Sequence, residues 1–278
     1  VLVVGDVNST LACSIVGKKL YIPVAHVEGG LRSGDMSMRE EINRLVTDSI
    51  SEWFFVTELR GVEHLKCDGK PESGIHYVGH MMEDNVLYQA EKLPRTNTSG
   101  FETDALKKAA LAKAGRYGAV TMHRPSTVDN AEMMTKIAGA LKGIAAELPL
   151  IFPVHSRKRN NMEQFGIDLG PDVTLLGPQA YMSFRNLWKD ATVALTDSGG
   201  LQEETTALGV PWITIRENTE RPITGDEGSN ALVGTDPARI VAEAKKVLRG
   251  EGKQGRRPLL WDGKAAERIV EILFKELA

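Results

Sequence analysis

Short apolar runs alternate along this chain with longer stretches in which apolar residues recur every third or fourth position. Val1–Val4, Pro23–Val27, Trp53–Val56 and Ile75–Val78 are runs of the first kind and read as strands. Ser9–Leu20, Glu40–Ser51 and a segment from Glu58 lie between them and read as helices. Glu40–Ser51 is amphipathic, with Ile42, Leu45, Val46 and Ile50 on one face. The alternation loosens over Glu91–Ser99, where Pro94 and Asn97 fall, and this stretch reads as an inter-domain linker or a long surface excursion. It then resumes. Phe101–Lys113 is helical, Gly118–Met122 is a strand, and Ala131–Leu148 is a helix with Met134, Ile137, Leu141, Ile144 and Leu148 in register. Ile151–Val154, Val173–Leu176, Val193–Leu195 and Trp212–Ile215 continue the strands, and Asp236–Leu248 and Lys264–Leu277 are helices. Strands separated by helices build a parallel sheet covered on both faces. The pattern predicts two doubly wound, Rossmann-like domains, over residues 1–92 and 100–260. Ligands of such sheets sit at the carboxyl ends of the strands.

Polar clusters follow the predicted strands. Gly5-Asp6-Val7-Asn8 comes after Val4, Glu28-Gly29-Gly30-Leu31-Arg32 after Val27, and His123-Arg124-Pro125 after Met122. His155 follows Val154, Asp197-Ser198 follows Leu195, and Arg216 with Thr219-Glu220-Arg221-Pro222 follows Ile215. Each has a plain structural explanation when taken singly: Asp6 as a helix cap, Glu40 and Glu41 as favourable charges in a first turn, either histidine as a hydrogen-bonded packing residue. Their shared position at strand exits is what makes them a set.

The most informative exit is Leu195–Glu204. It reads as a strand, a tight turn and a helix. Ser198 is a natural N-cap, and Gly199 and Gly200 allow a ligand to approach the backbone closely. The amides and partial positive charge of a helix start suit a phosphate. Glu204, one turn further on, can accept from two sugar hydroxyls. The stretch therefore predicts a nucleotide diphosphate with its ribose alongside.

Composition narrows the class. Hydrophobic residues make up 42% and charged residues 26%, as in an ordinary globular protein. The net charge of −3 leaves no broad basic field for nucleic acid. No apolar run is long enough for a transmembrane helix. Cys13 and Cys67 are the only cysteines, too few for a disulfide framework or a metal cluster, and suggest the cytoplasm. The chain opens at Val1-Leu2-Val3-Val4, already in a strand, which is expected of a fragment or a processed piece.

Taken together, Gly5–Thr10, His26–Arg32, Glu40–Arg44, His123-Arg124, Pro153–His155, Asp197–Glu204 and Thr219–Pro222 resemble the non-hydrolysing UDP-N-acetylglucosamine 2-epimerases, in the order of that family. The resemblance implies the GT-B architecture, with the active site in the cleft between two Rossmann-like domains. Residues 261–278 would form a helix crossing back to the first domain. It also implies interconversion of UDP-GlcNAc and UDP-ManNAc by elimination of UDP to 2-acetamidoglucal and re-addition. That chemistry needs a base for the C2 proton, an acid to return it and stabilisation of the departing diphosphate. Asp6, Glu28 and Glu40 match the family's catalytic carboxylates. His123 and Arg221 match residues that bind or polarise the diphosphate, with Arg124 beside them. Ser198, Gly199 and Gly200 match its phosphate cradle, Glu204 the ribose-binding glutamate, and Gln179 and Phe184 the positions that hold uracil. His155 matches a position associated with regulation. Neither metal nor cofactor is required, and a homodimer is expected of the full-length protein.

Two departures stand out. The family's opening Gly-Thr-Arg-Pro-Glu loop is absent, since the chain starts near the family's fourth strand; the first domain is expected to be incomplete. Little epimerase activity is then expected of this chain alone, with a UDP-binding domain retained from about residue 100 onward. Many relatives also read His-Arg-Arg-Glu-Asn where this chain has His123-Arg124-Pro125-Ser126-Thr127, which bears on allosteric activation. Other readings share the UDP site. A GT-B glycosyltransferase would need an acceptor pocket, a hydrolysing epimerase would release free ManNAc, and a nucleotide-sugar-binding module would bind without turnover.

Overall fold

The computed structural model describes residues 1–219 and 221–278, so Glu220 of the Thr219–Pro222 segment lies outside the described residues. The chain divides into two compact units: Val1–Tyr88 with Leu259–Ala278, and Gln89–Pro258. Each is a parallel α/β sheet flanked by helices, as in GT-B proteins.

In the first unit the order is β1 (Leu2–Val4), α1 (Asn8–Lys19), β2 (Ala25–Val27), α2 (Arg39–Ile50), β3 (Trp53–Val56), α3 (Leu59–Cys67), β4 (Ile75–Tyr77) and α4 (Met81–Lys92). The four strands pair in parallel in the order β1-β2-β3-β4. Phe54 and Val56 pack with Leu65 of α3, whereas Phe55, Ala25 and Val27 pack with Ile269 from the C-terminal segment. Successive residues of β3 thus face opposite sides, and both sides are buried. Asp84 of α4 accepts from the amides of Ala265 and Ala266. It thereby caps the last helix, Ala265–Leu277, which lays Ile269, Ile272 and Leu273 on the sheet of this unit.

The second unit runs α5 (Glu102–Ala114), β5 (Gly118–Thr121), α6 (Pro125–Val128), α7 (Ala131–Ala145), β6 (Leu150–Pro153), α8 (Ser156–Gln164), β7 (Val173–Leu176), α9 (Tyr181–Trp188), β8 (Val193–Thr196), α10 (Gly200–Leu208), β9 (Trp212–Thr214), α11 (Pro222–Asp226), β10 (Asn230–Leu232) and α12 (Pro237–Leu248). The C-terminal helix becomes α13. The strand order is β10-β9-β8-β5-β6-β7, all parallel. The chain leaves β5 in one direction through β6 and β7, then returns to β8 on the other side of β5. The exits of β5 and β8 therefore form the topological switch point, where open α/β sheets hold ligands. Met134, Ile137, Leu141 and Ile144 of α7 are buried in the register expected of them. Val193 and Leu195 join that cluster, while Ala194 faces Trp188 and Trp212 on the opposite side of the sheet.

Several expectations are corrected. Glu91–Ser99 is not a free linker: α4 extends to Lys92, a 3-10 turn follows over Leu93–Arg95, and the division between units falls after Tyr88. Helix α2 is inverted relative to its hydrophobic pattern. Ile42 is 43% exposed, whereas Glu41, Asn43, Arg44, Thr47 and Asp48 are buried. What they face is a network of charges rather than an apolar core, in which Glu41, Asn43, Arg44 and Asp48 all have partners. Among the described residues no helix is long and apolar enough to cross a membrane.

Candidate active site

In the first unit the exits of β1 and β2 lie side by side. The Gly5 amide donates to the Val27 carbonyl at 3.0 Å, so Asp6 and Glu28 leave adjacent strands at the same level. Glu28 has φ of 70°, a left-handed conformation that a non-glycine residue seldom adopts. Gly30, with φ of 80°, lies so close to α3 that an added Cβ would come within 2.3 Å of the Gly61 carbonyl oxygen. Packing of this loop against α3 therefore fixes a turn that displays Glu28, and strain of this kind gathers at functional sites.

Asp6 is held from α2, where Arg44 Nη1 donates to its Oδ2 at 2.5 Å. Asn43 Nδ2 donates to the Asp6 carbonyl at 2.8 Å and to Asn8 Oδ1 at 3.1 Å. Glu40 and Glu41 part company. Glu40 is exposed on the first turn of α2. Glu41 is buried and accepts from the Ser33 and Gly34 amides, from Ser33 Oγ and from Arg44 Nε and Nη2. Burial alone would raise the Glu41 carboxyl, but these donors hold it down at about 2. Behind the exits lies His26. Its Nδ1 is 2.6 Å from Asp48 Oδ1 and its Nε2 is 2.9 Å from the Gly5 carbonyl oxygen. Asp48 also accepts from the Gly30 amide at 3.0 Å and from Arg32 Nη1 at 2.6 Å. Arg44 and Asp48 are supporting residues that the sequence reading missed.

In the second unit Asp197, at the exit of β8, is fully buried and grips the exit of β5. Its carboxylate accepts from the amide of His123 at 2.9 and 3.1 Å, from the amide of Arg124 at 2.9 Å and from His123 Nδ1 at 2.9 Å. Burial pushes the Asp197 carboxyl up, but these donors bring it below the ordinary carboxylate range. From α8, Lys158 Nζ donates to the His123 carbonyl at 2.7 Å. His123, His155, Gln179 and Phe184, all predicted site residues, line one cavity of about 200 Å³ together with Lys158.

The Ser198 turn departs from expectation. Gly199, not Ser198, is the N-cap of α10, and no side chain caps that first turn. The Ser198 amide donates instead to Thr196 Oγ1 at 2.8 Å. The next three polar residues point to different partners. Gln202 is fully buried; its Nε2 donates to the Ser198 carbonyl at 3.0 Å, while its Oε1 accepts from Thr219 Oγ1 at 2.8 Å and Asn230 Nδ2 at 3.2 Å. Glu203 pairs with Arg221 Nε at 2.9 Å. Glu204 receives the Tyr181 hydroxyl on Oε2 at 3.2 Å, and burial raises its carboxyl above the usual range. Gln202 thus ties together the loops that carry Ser198 and Arg221. Glu203 holds Arg221, and Glu204 uses only Oε2 among the described residues, on Tyr181.

Residues 1–274 match the model of the family described as UDP-N-acetylglucosamine 2-epimerase. The UDP-N-acetylglucosamine 2-epimerase of Methanococcus maripaludis is 36% identical over 99% of this chain and 75% of its own length. A Pseudomonas aeruginosa UDP-2,3-diacetamido-2,3-dideoxy-D-glucuronate 2-epimerase is 35% identical, with 99% and 74% covered. The crystal structure of the Methanocaldococcus jannaschii UDP-GlcNAc 2-epimerase, in complex with UDP-GlcNAc and UDP, superposes with a TM-score of 0.83 at 35% identity, over 99% of this chain and 75% of that one. This chain belongs to the UDP-N-acetylglucosamine 2-epimerase family.

Proposed function

We propose that the protein interconverts UDP-GlcNAc and UDP-ManNAc without net hydrolysis. A carboxylate of the first unit takes the C2 proton, the C1–O bond to the diphosphate breaks, and UDP leaves 2-acetamidoglucal. A diphosphate oxygen then adds back to C1 while a proton returns to C2 on the opposite face. Asp6, Glu28 and Glu40 are assigned the proton transfers. His123, Arg221 and the Ser198–Gly200 turn, with Arg124 beside them, stabilise the departing diphosphate; Glu204 holds the ribose, and Gln179 and Phe184 the uracil. The observation that carries this reading is the placement of Asp6 and Glu28 at neighbouring strand exits, one held by Arg44 and the other by a left-handed turn. Two carboxylates presented side by side suit removal and return of a proton at one carbon.

The test is incubation of the protein with UDP-GlcNAc in deuterated water. UDP-ManNAc carrying deuterium at C2 is expected, and Glu28→Gln should slow that exchange by about 10²–10⁴-fold. Release of free ManNAc would make the protein a hydrolase instead. Turnover only with an acceptor would make it a transferase, and binding without turnover a binding module. A second reading concerns the sugar alone. The Pseudomonas aeruginosa relative, named for a diacetamido glucuronate, is nearly as similar as those named for UDP-GlcNAc. Elimination and re-addition at C1 and C2 are the same for both sugars. Competition between the two substrates decides which one this site prefers.

A further inference from the structure

The contacts around His123 go beyond what a loop histidine needs. Its main-chain amide and its Nδ1 are both held by Asp197, and its carbonyl is held by Lys158. Asp197 also takes the Arg124 amide. Backbone amides can only donate, so Asp197 serves as an acceptor on both oxygens. The hydrogen between Asp197 and the ring is therefore carried by Nδ1. That leaves Nε2 as the other ring nitrogen, on a side chain that is 52% exposed at the switch point of the sheet. His155, Lys158, Gln179 and Phe184 line the cavity that His123 shares.

We propose that Asp197 is a positioning residue that locks the proton of His123 on Nδ1 and its orientation, so that Nε2 faces the diphosphate. The proposal deepens the functional reading above and rests on its placing His123 against the leaving group. To donate to a departing diphosphate, Nε2 must itself carry a proton, which the exposed ring takes from water before the C1–O bond breaks. The imidazolium then formed has its other N–H against the Asp197 carboxylate, which compensates its charge without touching the substrate. In the return step the same geometry lets Nε2 release its hydrogen bond as the diphosphate oxygen attacks C1. Lys158 holds the carbonyl of His123 and so fixes the main chain from which the ring projects.

The experiment labels the protein with ¹⁵N-histidine and assigns His123 by its loss in His123→Gln. A proton on Nδ1 in the ligand-free protein, with Nε2 the nitrogen whose signal moves on adding UDP, is the expected result. Asp197→Asn should lose that tautomer preference. Its kcat should fall by about 10²–10⁴-fold, as when the orienting aspartate of a serine-protease triad becomes asparagine, with KM for UDP-GlcNAc changing less than about threefold. Asp197→Glu should recover part of kcat. A brace that merely kept the loop folded would move KM and kcat together and would leave the tautomer to solvent. An unprotonated Nδ1 in the wild-type protein overturns the proposal even if Asp197→Asn does not fold. So does an Asp197→Asn variant with wild-type tautomer and kcat. If the protein turns over no UDP-sugar yet holds the proton on Nδ1, the functional reading falls and the Asp197–His123 pair stands.

Discussion

Each unit contains a histidine paired with a buried aspartate at the carboxyl end of its sheet, and the two pairs have opposite uses. His26 lies 2.6 Å from Asp48 and His123 lies 2.9 Å from Asp197. The aspartates are alike: both are buried, both also accept backbone amides, and both are held below the ordinary carboxylate range by their donors against the effect of burial. The difference is the second ring nitrogen. In His26 it meets the Gly5 carbonyl, and the side chain is wholly buried. In His123 it has no such partner among the described residues, and the side chain is half exposed. A ring satisfied at both nitrogens is a clamp; a ring satisfied at one is a group with a free hand. His26 sets the height of the two strand exits that carry Asp6 and Glu28, whereas His123 is itself set by its neighbours.

Removing the two rings should separate these roles. His26→Ala takes a partner from a buried carboxylate and leaves the Gly5 carbonyl unsatisfied. It should cost about 3–5 kcal/mol of stability. His123→Ala also takes a ring donor from a buried carboxylate, but Asp197 keeps the His123 and Arg124 amides and no carbonyl is left bare, so it should cost less, about 1–2 kcal/mol, while abolishing most turnover. Urea unfolding of both variants checks this, since equal losses of stability would erase the distinction.

The same contrast recurs between consecutive glutamates of α10. Glu203 is closed by Arg221, while Glu204 keeps an oxygen beyond its contact with Tyr181. Glu204→Ala should weaken UDP binding by about 1–3 kcal/mol through unpaired ribose hydroxyls. Titration calorimetry showing wild-type affinity would remove Glu204 from the nucleotide site. Tyr181→Phe, which takes only the hydroxyl that Glu204 accepts, should have a smaller effect.

Much of this was legible in the sequence, and the failures share a cause. The strand–helix alternation and the polar exits are local signals, and they place Asp6, Glu28, His123 and Ser198 correctly at strand ends. The supporting residues are not local. Arg44 reaches Asp6, and Asp197 reaches His123, across separations that no short motif spans. Read alone, an aspartate after a strand is a cap or part of a phosphate turn, and nothing in Thr196-Asp197-Ser198 announces a histidine on another strand. Helix α2 misleads for a related reason. Periodicity assumes that the apolar stripe faces inward, and here the inward face carries Glu41, Arg44 and Asp48 because their partners are charged. Helix α8 was missed because it buries only Met162, which leaves no stripe to detect. The Ser198 cap failed because Thr196 takes the Ser198 amide and the helix starts two residues after Ser198.

The smallest expected effect tests Glu40 against Glu41, neighbours that one sequence motif presents as equivalent. Glu41 is the closed member, with its carboxyl at about 2 against an ordinary 4.5. A folded-state value below the unfolded one means that the stability Glu41 contributes is whole above about pH 4.5 and is lost as pH falls toward about 2. Part of its donor loop, at Gly34, is exposed, so water screens the interaction and the contribution is about 1 kcal/mol. Glu41→Gln should therefore be less stable than the wild type at pH 7, and its stability should fall less steeply between those two pH values. Glu40 is exposed, and Glu40→Gln should keep the wild-type pH dependence of stability while slowing deuterium exchange at C2. Urea midpoints measured across this pH range, beside exchange rates at pH 7, read both. If Glu40→Gln flattened the stability profile and left exchange intact, the roles of the two glutamates would be reversed, and Glu41 would be the proton-transfer group held by Arg44.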